Sequence, residues 1–152
     1  MGVNEMTRYE ILTKLTHDID PELVLIFNDV DDAYYAYELG AISIDPYSTY
    51  DAGFLEHLRE VHKCEYTDDF PLVLWSLLHE IGHHFTLDDI DTDEDLQARV
   101  LCSMVSNEVA DRVTDVRNLY YNLPSEWVAT EWAIDYIADN WELCTEIAKE
   151  LA

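Results

Sequence analysis

Hydrophobic and polar positions along the chain follow two different spacings, which separate a short strand-forming region from a longer helical one. Residues 5–17 carry apolar side chains at helical spacing, so an amphipathic helix is expected there. Residues 23–27 form a short apolar run of β-prone side chains and predict a strand. Residues 34–37 and 41–44 have the same character on either side of Gly40, and this pattern predicts a hairpin or a small meander.

The rest of the chain is expected to be helical. Helical spacing of apolar residues predicts helices over residues 52–63 and 71–85, and the second is apolar nearly all round, as in a helix buried in a core. Two longer helices are expected over residues 95–117 and 125–149, on either side of Pro124. Strands early and helices late favour an α+β fold, with a small N-terminal antiparallel sheet and a mainly helical remainder.

Composition indicates a globular protein with one domain. The chain has 152 residues, of which 49% are hydrophobic, so we expect a single domain over residues 1–152 with a sizeable core. No apolar stretch reaches the length of a membrane helix and no signal-peptide core is present, so the expected location is cytoplasmic, without a membrane partner. The three cysteines are odd in number and far apart, which predicts reduced, mostly buried thiols.

The large excess of acidic residues limits the kinds of molecule that the protein can be expected to bind. Thirty-three acidic residues against eight Lys and Arg give a formal net charge of −25. Direct binding of nucleic acid is nearly excluded, because a phosphate-binding surface requires clustered Lys and Arg. The acidity has two possible explanations. It could keep the protein soluble or adapt it to a salty environment, or it could mimic the charge of a nucleic acid and so occupy a protein that binds DNA or RNA. Residues 88–95 hold six of the acids and are expected to form an exposed loop that caps the next helix.

The segment from His79 to His83 reads His-Glu-Ile-Gly-His, a spacing typical of zinc metallopeptidases. On a helix, His79 and His83 project from one face and can bind one tetrahedral Zn²⁺; the alternative is a core helix with incidental histidines. Glu80 lies beside the first ligand, where it can take the proton of an attacking water. Gly82 costs about 1 kcal/mol relative to alanine in a helix, which indicates a close approach by a backbone or a substrate. His84 points about 100° away from His83 and is expected beside the site.

A catalytic zinc site needs a third protein ligand, and because no second histidine cluster follows the motif, a carboxylate within residues 124–138 is expected. Glu131 and Asp135 are four residues apart on one helix face, so one could bind the metal while the other orients a ligand histidine. Glu126 is the alternative, because it begins a face of small residues that would let this helix pack closely on the motif helix. Those small residues are Ala129, Thr130 and Ala133. The sequence leaves the choice between Glu126 and Glu131 open.

The motif and the later segment Ala129-Thr130-Glu131-Trp132-Ala133 resemble the phage-associated ImmA/IrrE-type zinc metallopeptidases, over roughly residues 40–140. In that family a small sheet precedes the motif helix, and a later helix with a Glu-Ala-Asn/Asp-x-Phe-Ala pattern supplies the third ligand. The resemblance therefore implies a minimal zincin-like core. Val128 stands where the ligand glutamate belongs, so Glu126 or Glu131 would replace it only on a shifted or rotated helix. Glu131 and Asp135 also resemble the Glu-x-x-x-Asp of thermolysin-like gluzincins.

The resulting hypothesis is a metallopeptidase of phage or mobile-element type that uses Zn²⁺ to hydrolyse one specific protein. A basic DNA-binding protein would suit the acidic surface as substrate or partner. Tyr120 or Tyr121 is a candidate to stabilise the oxyanion. The alternative is a non-enzymatic acidic inhibitor, or nucleic-acid mimic, that binds a host nucleic-acid-handling protein and has a structural or vestigial metal site.

Overall fold

A computed structural model of the chain describes residues 6–30, 33–36, 38–47, 52–87, 90–108 and 120–152. Within these ranges the fold is α+β, as the sequence predicts, with one three-stranded sheet and six α-helices. None of the helices in this part of the chain combines the length and the apolar character that a membrane crossing needs.

The sheet contains β1 (Val24–Phe27), β2 (Ala33–Ala36) and β3 (Ala41–Ile44), in the order β1-β3-β2. β2 and β3 form the expected antiparallel hairpin, with Gly40 in its turn at a φ of 59°, a left-handed conformation that favours glycine. β1 pairs with β3 in parallel, so the sheet is mixed rather than antiparallel throughout. All four residues of β3 are buried. That burial suits the central position, which leaves β1 and β2 at the two edges.

The helices are α1 (Arg8–Ile19), α2 (Ala52–Glu60), α3 (Leu72–Thr86), α4 (Thr92–Glu108), α5 (Pro124–Asp139) and α6 (Trp141–Leu151), with a 3₁₀ turn at Thr67–Asp69. The single helix predicted over residues 125–149 is two helices. The chain leaves helical geometry at Asn140, whose backbone N–H donates to the carbonyls of Tyr136 and Ile137. The predicted helix over residues 95–117 begins slightly earlier, and its part beyond Glu108 lies outside the described residues.

The acidic segment 88–95 caps α4, as the sequence predicts, but it is not an exposed loop throughout, because Asp93, Glu94 and Asp95 lie in the first turn of α4 and Asp95 is buried. The Asp91 carboxylate accepts hydrogen bonds from the backbone N–H groups of Asp93 and Glu94, at 3.0 and 3.1 Å. These are two of the N–H groups that a helix start leaves without a helical partner. Asp88 and Asp89 belong to the same predicted loop and lie outside the described residues.

Helix α3 lies at the centre of the core, between the sheet and α5. Its residues Leu74, Trp75, Leu77, Leu78 and Ile81 are fully buried, in agreement with a helix that is apolar nearly all round. The buried Trp75 indole donates its N–H to the carbonyl of Thr67 at 3.0 Å, so no polar atom of that ring is left without a partner.

The three cysteines, all among the described residues, form no disulfide, as expected. Cys64 and Cys144 are buried and Cys102 is half-buried. Burial raises the pKa of the Cys144 thiol to about 11. A neutral, buried thiol is unreactive and packs as a small hydrophobic side chain.

The closest contact between α3 and α5 is at Gly82. A Cβ atom at this position would lie 2.6 Å from the carbonyl oxygen of Ala129, closer than any side chain tolerates. Ala129, Thr130 and Ala133 are fully buried, so the face of small residues on α5 packs directly on α3. The sequence indication of a close approach at Gly82 is confirmed, and the approaching group is the backbone of α5.

Replacing Gly82 with alanine should therefore destabilise the fold, although alanine favours a helix. The clash with Ala129 should cost about 2–3 kcal/mol, which exceeds the gain of about 1 kcal/mol in helix propensity. We expect a net decrease of about 1–2 kcal/mol in the free energy of unfolding, measured by urea unfolding of the metal-free protein. A Gly82→Ala variant as stable as the wild type would contradict this packing.

Candidate metal centre

Helix α3 carries His79 and His83 on one face, one turn apart. Glu126 reaches this face from the first turn of α5. Its Oε2 atom accepts hydrogen bonds from Nε2 of His79 at 3.0 Å and from Nε2 of His83 at 2.9 Å. The three candidate ligand atoms lie within 4.8 Å of one another. This buried group of His79, His83 and Glu126 could hold a metal ion.

The spacing of these atoms fits one small cation. A tetrahedral ion with bonds of roughly 2.0–2.1 Å separates its ligand atoms by about 3.3 Å. The two contacts to Glu126 Oε2 are 3.0 and 2.9 Å, so a small outward movement of the three side chains would make room for an ion.

Charge in the group is arranged to suit a cation. Burial raises the pKa of Glu126, but hydrogen bonds and charge interactions with His79 and His83 outweigh burial and hold it well below its ordinary range. Burial lowers the pKa of His83, but Glu126 and, after it, Glu80 raise it on balance. The Glu126 carboxylate is therefore ionised, which is the form that binds a metal.

Thr130 fixes the orientation of the His79 ring. The Thr130 hydroxyl donates to the backbone carbonyl of Glu126 at 2.8 Å, which uses its only hydrogen. The contact of 3.1 Å between Thr130 Oγ1 and His79 Nδ1 must then have Nδ1 as the donor. With Nδ1 donating to Thr130, Nε2 of His79 faces Glu126 and is the nitrogen that would bind an ion in place of its hydrogen. A partner on the second ring nitrogen is the usual support for a metal-binding histidine.

The second oxygen of Glu126 has its own donors. The Tyr120 hydroxyl donates to Oε1 at 2.6 Å, and Arg99 Nη2 donates to the same atom at 3.3 Å. With two donors on each oxygen, the buried carboxylate is fully hydrogen-bonded, which offsets much of the cost of burying its charge.

A cleft of about 760 Å³ opens beside the group, and Glu80, His83 and Glu126 lie in its wall. β2 borders it on one side through Tyr34 and Tyr35. Three apolar side chains after the motif, Leu87, Ile90 and Leu96, also line it, as do Arg99 and Tyr120. A molecule in this cleft would therefore reach both the candidate metal position and the Glu80 carboxylate.

Of the two carboxylates that the sequence left open, only Glu126 lies with the histidines. Glu131 is half-exposed and accepts a hydrogen bond from His62 Nδ1 at 2.8 Å. The reason is helical geometry, since five residues correspond to about 140° around the axis. Asp135 is exposed; the slight desolvation of its carboxylate by its neighbours, together with the charges of Glu131 and Asp139, raises its pKa. Neither Glu131 nor Asp135 contacts the group around His79.

The other candidates from the sequence occupy different positions. His84 contacts Asp20 through Nε2 and the Tyr35 hydroxyl through Nδ1, both at 2.9 Å, so it lies beside the group as expected. Tyr120 lines the cleft, whereas Tyr121 is buried against Phe54. Of the two tyrosines proposed for the oxyanion, Tyr120 is therefore the one whose hydroxyl contacts Glu126 and lines the cleft.

Two residues at the site were missed by sequence reasoning, Arg99 and Asp95. Arg99 Nε donates to Asp95 Oδ2 at 2.8 Å, and Asp95 Oδ1 accepts from the backbone N–H of Ser125 at 2.9 Å. An Asp and an Arg four residues apart are a recognisable ion-pair signal on a helix. That signal does not indicate which other helix the pair will contact.

Comparison with protein-family models, with curated proteins and with solved structures gives no match in any of the three. The resemblance to the ImmA/IrrE-type metallopeptidases therefore stays a prediction from the motif.

The two opposite pKa shifts define a pH window for stability of the metal-free protein. The pKa of His83 is raised from 6.5, so its contribution is complete below pH 6.5 and is lost as the pH rises through the folded-state pKa. The pKa of Glu126 is lowered from 4.5, so its contribution is complete above pH 4.5 and is lost as the pH falls toward the folded-state pKa. Both contributions are complete only between pH 4.5 and pH 6.5.

We therefore expect the difference in unfolding free energy between wild type and Glu126→Gln to be largest at about pH 5.5 and smaller at about pH 8. Urea unfolding in the presence of a chelator measures it, with the same pair of proteins compared at both pH values. Using the variant as reference cancels the pH dependence that comes from the many other acidic residues. A difference that is the same at both pH values would contradict the assigned pairing.

Proposed function

We propose that this protein is a zinc-dependent metallopeptidase, of phage or mobile-element type, that hydrolyses a specific protein. The observation that carries the proposal is the meeting of His79, His83 and Glu126 in the wall of a cleft that also contains Glu80. Two imidazoles and one carboxylate are a donor set of catalytic zinc sites, which keep one position open. Among the described residues, no fourth His, Cys, Asp or Glu joins the group.

Zn²⁺ bound by these three side chains would polarise a substrate carbonyl and lower the pKa of a water molecule. Glu80 acts as the general base: it takes the proton of the attacking water and then donates it to the leaving amine. Glu80 is buried and lies in the cleft wall beside His83.

Tyr120 is the candidate hydrogen-bond donor for the negative oxygen that forms during hydrolysis. Its burial and the neighbouring Glu126 carboxylate raise the pKa of the Tyr120 hydroxyl, so the hydroxyl keeps its hydrogen at neutral pH. The hydroxyl is 2.6 Å from Glu126 Oε1 and lines the cleft. A small rotation of the side chain would turn it toward a substrate carbonyl.

The shape and charge around the cleft favour a polypeptide substrate. β2 is an edge strand, and Ala33, Tyr34 and Tyr35 of this strand line the cleft. An extended peptide can pair with such an edge as an additional strand. The net charge of −25 would attract a basic protein and raise its rate of association, so a DNA-binding protein is the proposed kind of substrate.

The charge also supports a second candidate function, inhibition of a nucleic-acid-handling host protein by an acidic mimic. The two functions differ in stoichiometry. A peptidase inactivates its partner in catalytic amounts and depends on Glu80, whereas an inhibitor needs one molecule for each partner and is unaffected by Glu80→Gln.

The Glu80→Gln variant tests the peptidase. We expect it to bind about one zinc ion per chain, as the wild type does, but to cleave peptides at least about 100-fold more slowly. The assay incubates each zinc-loaded protein with a library of proteome-derived peptides and identifies new termini by mass spectrometry. A His79→Ala/His83→Ala double variant controls for contaminating peptidases, because it should lose both zinc and cleavage. Cleavage by Glu80→Gln at the wild-type rate would refute the proposed mechanism.

A further inference from the structure

Arg99 is one of only eight Lys and Arg residues in a chain with 33 acids, and it lies at the candidate metal centre. Among the described residues its guanidinium makes three hydrogen bonds: Nε with Asp95 Oδ2 at 2.8 Å, and Nη2 with Ser125 Oγ at 2.5 Å and Glu126 Oε1 at 3.3 Å. The planar guanidinium holds these three acceptors in a fixed relative geometry.

Asp95 attaches this guanidinium to the start of α5. Asp95 is buried, and while Oδ2 accepts from Arg99, Oδ1 accepts from the backbone N–H of Ser125 at 2.9 Å. Ser125 immediately precedes Glu126 in the first turn of α5. The Asp95–Arg99 pair of α4 therefore holds the α5 backbone at Ser125, next to Glu126, through Asp95, and the Glu126 carboxylate through Arg99.

The two oxygens of Glu126 consequently have different partners. Oε1 accepts from Tyr120 and Arg99, and Oε2 accepts from His79 and His83. Only Oε2 faces the position where an ion would lie. A carboxylate held in this way binds an ion through one oxygen and leaves a coordination position for water and substrate.

We propose that Arg99 is a positioning residue of the metal centre: it acts through Glu126, holds that carboxylate in single-oxygen coordination and thereby strengthens metal binding. Asp95 offsets the charge of Arg99, so that the guanidinium does not oppose the cation. The inference rests on the proposed metal centre and is independent of peptidase activity. A purely structural ion pair would tie α4 to α5 and leave the coordination of the ion unchanged.

The experiment measures metal binding by the full chain. Zn²⁺ affinity is determined by competition with a chromophoric chelator, and coordination is followed by the visible absorption of the Co²⁺-loaded protein, which weakens as the coordination number rises above four. The variants are Arg99→Gln, Arg99→Lys and the control Arg59→Gln. Arg59 pairs with Asp68 at 2.7 Å on the exposed surface, so its loss removes a similar ion pair elsewhere.

We expect Arg99→Gln to weaken Zn²⁺ binding about 10- to 100-fold and to lower the Co²⁺ absorption. Arg99→Lys keeps the charge but cannot span three acceptors, so its affinity should lie between those of Arg99→Gln and the wild type. Arg59→Gln should match the wild type in both measurements. Circular dichroism of each metal-free protein verifies that the variants are folded.

Unchanged affinity and absorption in a folded Arg99→Gln protein would overturn the positioning role while the metal centre remained. If Arg99→Gln does not fold, Arg99→Lys decides in its place, and wild-type behaviour of that variant would overturn the proposal. A wild-type chain that binds no Zn²⁺ would overturn this inference and the metal centre together. Loss of peptide cleavage without a change in metal binding would also count against it.

Discussion

The backbone contact between Gly82 and Ala129 is the constraint on which the site depends. A side chain at position 82 would meet the α5 carbonyl at 2.6 Å, so only glycine lets α3 and α5 approach this closely. Gly82 precedes His83 directly, and Glu126 is one turn before Ala129 on the same face of α5. The contact that closes the core therefore also brings a carboxylate from one helix to two histidines of the other. The interface between α3 and α5 therefore both closes the core and forms the candidate metal centre. A change in the angle at which these helices cross would separate His79, His83 and Glu126.

The interface between α3 and α5 buries the charge of the Glu126 carboxylate, and hydrogen bonds to this carboxylate offset much of the cost of burying it. An unpaired carboxylate inside a protein costs several kcal/mol, but Glu126 accepts from His79, His83, Tyr120 and Arg99. Tyr120 and Arg99 donate to Oε1, and the two imidazoles donate to Oε2. Thr130 fixes the orientation of the His79 ring through its contact with Nδ1. The group is thus arranged in advance for a cation, and an ion entering it would replace the contacts from the imidazoles to Oε2 while the contacts to Oε1 remain.

Local patterns in the sequence predict the parts of this arrangement that depend on one helix. The shared face of the two histidines, the position of Glu80 beside them and the small face of α5 follow from helical periodicity, and the close approach at Gly82 follows from the cost of glycine in a helix. The choice of Glu126 over Glu131 does not, because it depends on the rotation of α5 about its axis, which tertiary packing sets. The same limit explains why Asp95 and Arg99 were missed, since their partners are on another helix. It also explains the mixed sheet: each strand is predicted by its own residues, but the parallel pairing of β1 with β3 depends on how the intervening chain crosses.

The most direct test of the central claim compares the two carboxylates of α5 as metal ligands. Glu126→Gln and Glu131→Gln change the same chemical group on the same helix, five residues apart, and each is purified beside the wild type for zinc analysis. The geometry predicts about one zinc ion per chain in the wild type and in Glu131→Gln, with most of it lost from Glu126→Gln. Retention of zinc by Glu126→Gln together with its loss from Glu131→Gln would show that the ion is bound by a different set of residues.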